Sequence, residues 1–185
     1  MGTEKHLKKI EKLLDKSNVI SFDSITKIVG DKNYAKQLTR NLILKGKMVK
    51  VGKGLYTNKN EISLAVYRFM PAYLGLQDAL SFHNLWEQET IPIIITSSKA
   101  RPGIRKIMGQ NVLVKRVAPK YLFGFGYYDE SGITLPYSDQ EKTFIDLLYF
   151  REHFKPFPVD IEKMKKYLQR YPQKFRITVM KMIKE

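Results

Sequence analysis

Ser21-Phe-Asp-Ser-Ile-Thr-Lys-Ile-Val-Gly30 leads into Asp31-Lys-Asn-Tyr-Ala-Lys-Gln-Leu-Thr-Arg-Asn-Leu-Ile-Leu-Lys-Gly46, and then into Lys47-Met-Val-Lys-Val-Gly-Lys-Gly-Leu-Tyr-Thr57. Ser21 is suited to cap a helix, and Asp23 places negative charge in its first turn, where the helix dipole favours it. Phe22, Ile25, Ile28 and Val29 fall on one helical face. Gly30 can adopt the left-handed conformation that ends a helix. Asp31 can cap the next helix, which runs to about Leu44, stops at Gly46 and carries an apolar stripe of Ala35, Leu38 and Leu42. Two short strands then flank the turn Gly52-Lys53-Gly54. Helix, turn, helix and basic hairpin in this order predict a winged helix-turn-helix, whose second helix is placed to enter a major groove.

The face of that second helix opposite its apolar stripe carries Asn33, Lys36 and Arg40, flanked by Lys32 and Gln37, and the hairpin adds Lys50 and Lys53. Arg, Lys, Asn and Gln carry the donors that match base edges and phosphates. A Lys-rich face is also what an ordinary solvated helix presents, and three-helix domains also dock proteins. The basic hairpin after the second helix tilts the reading toward duplex DNA.

Charge supports the same reading. The 185-residue chain has a net charge of +15, which predicts attraction to a polyanion. Residues 1–60 hold fourteen Lys/Arg against five Asp/Glu, and the remaining 125 hold nineteen against thirteen. Positive charge is densest around the expected DNA-binding module. An apolar content of 43% is enough to bury a core. No apolar run approaches the length needed to span a membrane, and the candidate Ile91–Thr96 is strand-sized. The N-terminal stretch reads as a Lys-rich amphipathic helix rather than an apolar leader. Cysteine is absent, which excludes disulfides, thiolate metal sites and a thiol nucleophile. A cytoplasmic location is expected.

Two parts are expected, 1–60 and 61–185. In the first, Leu7, Ile10, Leu13 and Leu14 recur at helical spacing over residues 4–15 and should pack under the next two helices. Val19 and Ile20 can add a short strand to the hairpin. In the second, helices are predicted over 61–70, 77–85, 159–169 and 173–183. A further helix, capped by Ser138 with Glu141 completing a capping box, should run through Phe150. Strands are predicted at 91–96, 112–117, 121–128 and 133–135, while Lys99–Gly109, with Pro102-Gly103, reads as a loop. The fold class expected is α+β, with a small, mostly antiparallel sheet and C-terminal helices after the winged helix.

Four segments in this order resemble the AbiEi family of antitoxins and transcriptional regulators, associated with type IV toxin–antitoxin systems. They are Gly52-Lys-Gly-Leu-Tyr56, Tyr73-Leu-Gly-Leu-Gln-Asp-Ala-Leu-Ser-Phe-His-Asn-Leu85, the strand Ile91–Thr96 with the basic segment after it, and Ser138-Asp-Gln-Glu-Lys-Thr-Phe-Ile-Asp-Leu-Leu148. Together they span most of the chain to about residue 155. The resemblance implies an N-terminal winged helix that represses the protein's own promoter and a C-terminal domain that counteracts a toxin. That toxin would be a nucleotidyltransferase-like protein encoded in an adjacent gene, antagonised functionally rather than through a stable complex. Some relatives are stand-alone regulators.

Nothing in the sequence carries comparable catalytic chemistry. His6, His83 and His153 lack ligand spacing, and serine-nucleophile and phosphate-loop signatures are absent. Asp129, Glu130, Asp139, Glu141 and Lys142 together suggest a nuclease-like cluster, but metal-dependent nucleases need carboxylates that converge on one ion. Here one pair lies in a turn and the other opens a helix, so no enzyme activity, cofactor or metal is expected. A second basic group comprises Lys99, Arg101, Arg105, Lys106, Lys115 and Arg116. It reads either as a second phosphate-contacting surface or as part of an RNA-binding face, with Tyr121, Phe123 and Phe125 as stacking platforms or as core. An RNA-binding or nonspecific nucleic-acid-binding adaptor is the alternative to a promoter-specific regulator.

Overall fold

A computed structural model of the chain describes residues 2–183; Met1, Lys184 and Glu185, the outermost residues of the two expected parts, lie outside them. The chain divides into two compact units, one of residues 1–68 with 106–111 and the other of residues 69–105 with 112–185.

The first unit contains helices α1 (Gly2–Lys16), α2 (Phe22–Val29) and α3 (Lys32–Leu44) and strands β1 (Ile20–Ser21), β2 (Val49–Gly52) and β3 (Leu55–Thr57). Its sheet has the order β1-β3-β2 and is antiparallel throughout. The short strand expected at Val19–Ile20 forms one residue later. Local chemistry sets the helix ends. The Ser21 hydroxyl accepts from the Ser24 N–H, and Asp31 accepts from the Tyr34 N–H, so each satisfies a donor that a helix start leaves open. Gly30 ends α2 at φ +83°, with its N–H bonded to the Thr26 carbonyl. Ile10, Leu14, Ile20, Ile25, Val29, Ala35, Leu38, Leu42 and Met48 form one core, against which Leu7 and Leu13 pack. A 3-10 segment, Ile62–Phe69, stands where an α-helix is expected over 61–70.

The second sheet has the strand order β6-β7-β5-β4-β9-β8. Its strands are β4 (Ala72–Leu74), β5 (Ile93–Thr96), β6 (Gly103–Ile107), β7 (Gln110–Arg116), β8 (Phe125–Glu130) and β9 (Ile133–Ser138). The sheet is mixed, a correction to the mostly antiparallel one expected. β5 runs parallel to β7, and β4 parallel to β9 through Leu74 opposite Tyr137, whereas β4/β5 and β8/β9 are antiparallel. For the β5/β7 pair the cause is the segment expected to be a loop. Residues 103–107 form β6, and this extra strand between β5 and β7 returns the chain so that β7 follows the direction of β5. The strand expected from Tyr121 begins at Phe125, because Pro119–Tyr121 forms a 3-10 turn.

Helices α4 (Gln77–Phe82), α5 (Gln140–Tyr149), α6 (Ile161–Leu168) and α7 (Gln173–Met182) complete the second unit. Its core joins Tyr73, Leu76, Leu80, Ile95, Phe144, Ile145, Leu147, Met164, Leu168 and Val179. Helix α5 is buried on every residue from Glu141 to Leu147. Its cap is Asp139, whose carboxylate accepts from the Lys142 N–H, and not the expected Ser138. The Ser138 hydroxyl instead lies 2.8 Å from that of Thr143. Gly124, at φ +69°, lets the chain pass this helix. A Cβ there would sit 2.8 Å from the Lys142 Cβ, closer than packed side chains tolerate.

Candidate nucleic-acid interface

Helix α3 buries Ala35, Leu38, Thr39 and Leu42, and the 3.6-residue repeat leaves the intervening positions outside. Lys32, Asn33, Lys36, Gln37 and Arg40 are all exposed. The hairpin is fastened beside the start of α2, since the Phe22 N–H donates to the Gly54 carbonyl at 2.8 Å. At the hairpin's root, the Thr57 hydroxyl donates to the Asn18 carbonyl at 2.7 Å. The β2/β3 register shifts between Lys50 and Gly52, a bulge of the kind that twists a hairpin and re-aims its side chains. Lys50 and Lys53 are exposed. A shallow concavity of about 250 Å³ lies between helix and hairpin, with Lys36 and Arg40 on one wall, Lys50 on another, and Phe22 and Tyr56 also lining it. Burial pushes the Tyr56 phenol above its usual pKa. All seven residues read as DNA contacts are therefore solvent-facing, and three of them converge on one concavity.

The electrostatics are one-sided. From Lys32 to Asn60 the chain holds seven Lys and one Arg and no Asp or Glu. In this unit Lys8 pairs with Glu4 and Lys47 with Glu11, and among the described residues no ion pair involves Lys32, Lys36, Arg40, Lys50 or Lys53. At those five residues no carboxylate of the protein pairs with the positive charge, the arrangement that attracts a polyanion.

The residues of the second basic group are divided between the two units. Lys99, Arg101 and Arg116 are exposed in the second unit. Arg105 is partly buried and donates to the Arg101 carbonyl at 2.7 Å. Lys115 is ion-paired with Glu152, its ammonium 4.9 Å from the Phe150 ring centroid. Lys106 belongs to the first unit. Tyr121 is buried and stacks on Tyr171, while Phe123 and Phe125 are half-buried against the core.

Of the carboxylates read as a nuclease-like cluster, Asp139 and Glu141 are engaged within the protein. Asp139 caps α5 and accepts from the Tyr167 hydroxyl at 2.7 Å. Glu141 accepts from the Asp160 N–H at 3.0 Å and pairs with Lys163 at 2.7 Å. Lys142, fully buried, donates to Asp146 and to the Tyr171 hydroxyl, and Tyr73 donates to the other Asp146 oxygen at 2.6 Å. Burial pushes Lys142 down and Asp146 up, against the attraction of each for the other. Asp146 escaped the sequence reading, although Lys142 and Asp146 stand four apart, the spacing of neighbours on a helix face. Among the described residues no three His, Asp or Glu side chains are grouped to hold a metal ion.

The surroundings of Glu141 predict that the second unit is sensitive to acid. Burial alone would raise its carboxyl, but hydrogen bonds from Lys163 and the Asp160 N–H outweigh it and hold the pKa below its usual value. A carboxyl with a lower pKa folded than unfolded stabilises the fold above the unfolded pKa and loses that contribution as pH falls through the folded one. Denaturant unfolding between roughly pH 5 and 3 should therefore show a steeper loss of stability for the native chain than for Glu141→Gln. Identical acid slopes would count against this role.

No family model matches the chain, and no curated protein matches it. No helix among the described residues is long and apolar enough to cross a membrane.

Proposed function

We propose that this protein is a DNA-binding transcriptional regulator of the AbiEi antitoxin type, that residues 1–60 act as a winged helix-turn-helix, and that it represses its own promoter. The observation carrying the proposal is the exposed face of α3. Asn33, Lys36, Gln37 and Arg40 project there with no described ion pair to consume the charges, next to a hairpin that adds Lys50 and Lys53. In a winged helix the second helix of the motif reads base edges while flanking lysines hold phosphates. Asn33, Gln37 and Arg40 supply the hydrogen-bonding reach for bases, and Lys32, Lys36, Lys50 and Lys53 the charge for the backbone. The segments Tyr73–Leu85 and Ser138–Leu148, which resemble the antitoxin domain, support a second activity, the counteraction of a nucleotidyltransferase-like toxin encoded nearby.

Footprinting of the DNA upstream of the gene tests the first half. Protection of a discrete site that persists in excess competitor duplex is expected. Protection that competitor erases would favour the nonspecific adaptor, and tighter binding to RNA the RNA-binding alternative. The second half is tested by co-expression with the product of the adjacent gene. Rescue of growth supports it, and a neighbour without toxicity leaves a plain regulator.

A further inference from the structure

Residues 106–111 lie far along the chain from the helices and hairpin of the first unit, yet belong to it. They are the adjoining ends of β6 and β7 with the turn between them. Met108 and Gly109 have φ of +50° and +81°, the pair of left-handed conformations that makes a tight two-residue hairpin. Ile107 is buried while Lys106 stands exposed beside it. Lys106 borders a notch of about 250 Å³ that is also lined by Lys50, Lys53 and Arg68. Four cations and no carboxylate line it. Gly52 makes the notch possible, because a Cβ there would sit 2.9 Å from the Arg68 Cγ, where the aliphatic stem of Arg68 crosses the hairpin. Lys50 lines both this notch and the concavity that holds Lys36 and Arg40. One continuous basic surface thus runs from α3 across the hairpin to the β6–β7 turn.

We infer that the notch holds a DNA backbone phosphate, with Lys106 on the β6–β7 turn and Arg68 on the 3-10 segment extending the duplex contact beyond the hairpin. The inference rests on the reading of the first unit as a duplex-binding module. The ammonium groups of Lys50, Lys53 and Lys106 around one concavity repel one another, and a phosphate oxyanion relieves that repulsion while accepting hydrogen bonds from ammonium and guanidinium groups. Backbone phosphate fits better than a base edge, because compact cations on flexible stems fix position without distinguishing sequence.

The test is a salt titration of binding by the full chain, read by fluorescence anisotropy, on the upstream duplex and on a random duplex of equal length. Loss of one phosphate contact lowers the slope of log affinity against log salt by about 0.9, which near 0.15 M salt is about a fivefold weakening. Lys106→Gln should show both effects, equally on the two duplexes, Arg68→Gln the same, and Lys106→Arg should restore the native values. Lys12→Gln, an equal loss of charge at an exposed position on α1, should leave the slope unchanged. If Lys106→Gln matches the native slope while Lys36→Glu with Arg40→Glu loses binding, the notch is overturned and the module stands. Equal losses from Lys12→Gln and Lys106→Gln overturn it in favour of a diffuse field. A native chain that binds neither duplex overturns the module and the notch together.

Discussion

Lys36→Glu combined with Arg40→Glu is expected to weaken binding to the upstream duplex by about 2–6 kcal/mol, enough to lift repression. Both side chains leave α3 one turn apart and are exposed. On the proposed reading, reversal removes two attractive contacts and sets two carboxylates against phosphates. The fold should not register the change, because exposed substitutions away from caps and networks usually stay within about 0.5 kcal/mol. Competition binding near 0.15 M salt, paired with thermal unfolding, checks both halves. Unchanged affinity in a normally folded variant would remove α3 from the contact surface. Neutralisation of a toxic neighbour should survive the same double reversal, since the segments resembling the antitoxin domain lie elsewhere in the chain.

Asp146→Asn is expected to cost the second unit about 3–5 kcal/mol, a large share of the roughly 5–15 kcal/mol that holds a typical domain together. The Lys142 ammonium is wholly buried and donates to Asp146, and it lies 5.0 Å from the centroid of the Phe123 ring. Without the carboxylate it must either stay charged in an apolar environment or give up its proton. Lys142→Met should cost about as much for the mirror reason, leaving the Asp146 carboxylate unpaired. The double variant Lys142→Met with Asp146→Asn should recover most of the loss. It removes both charges and keeps an acceptor for the Tyr73 hydroxyl, which donates to Asp146 at 2.6 Å. Denaturant midpoints of the four proteins make a complete cycle. Strictly additive losses would mean that the pair is not coupled.

Little of that pair was legible in advance. Glu141, Lys142 and Asp146 are charged, and a helix carrying them is expected to turn them toward water. Their burial depends on Tyr73, Tyr171, Lys163 and the Asp160 N–H, which arrive from β4, α6 and the segments around it. The basic face of α3 was legible throughout, because exposure follows from the helical repeat once Ala35, Leu38 and Leu42 are taken as the buried stripe. By sequence Lys106 groups with its basic neighbours, whereas the fold places it with Lys50, Lys53 and Arg68.

The ends of α2 and α3 follow from residues within four positions of one another. Ser21 reaches the Ser24 N–H, Asp31 the Tyr34 N–H, and Gly30 the Thr26 carbonyl, so the sequence is sufficient to specify them. The cap of α5 was missed by one residue, because Ser138 and Asp139 are adjacent and equally suited. Which of them caps was settled when Ser138 was drawn to Thr143 and to the Leu74 carbonyl on a neighbouring strand. Strand direction lies wholly on the tertiary side. Leu74 meets Tyr137 in parallel although they stand 63 positions apart in the chain, and Ile93–Thr96 meets Leu113–Arg116 in parallel only because β6 turns the chain back between them. A β-branched run records that a strand is buried, since burial acts on each side chain where it stands. It records nothing of the strand's neighbour or direction, because both depend on the path of the chain between them.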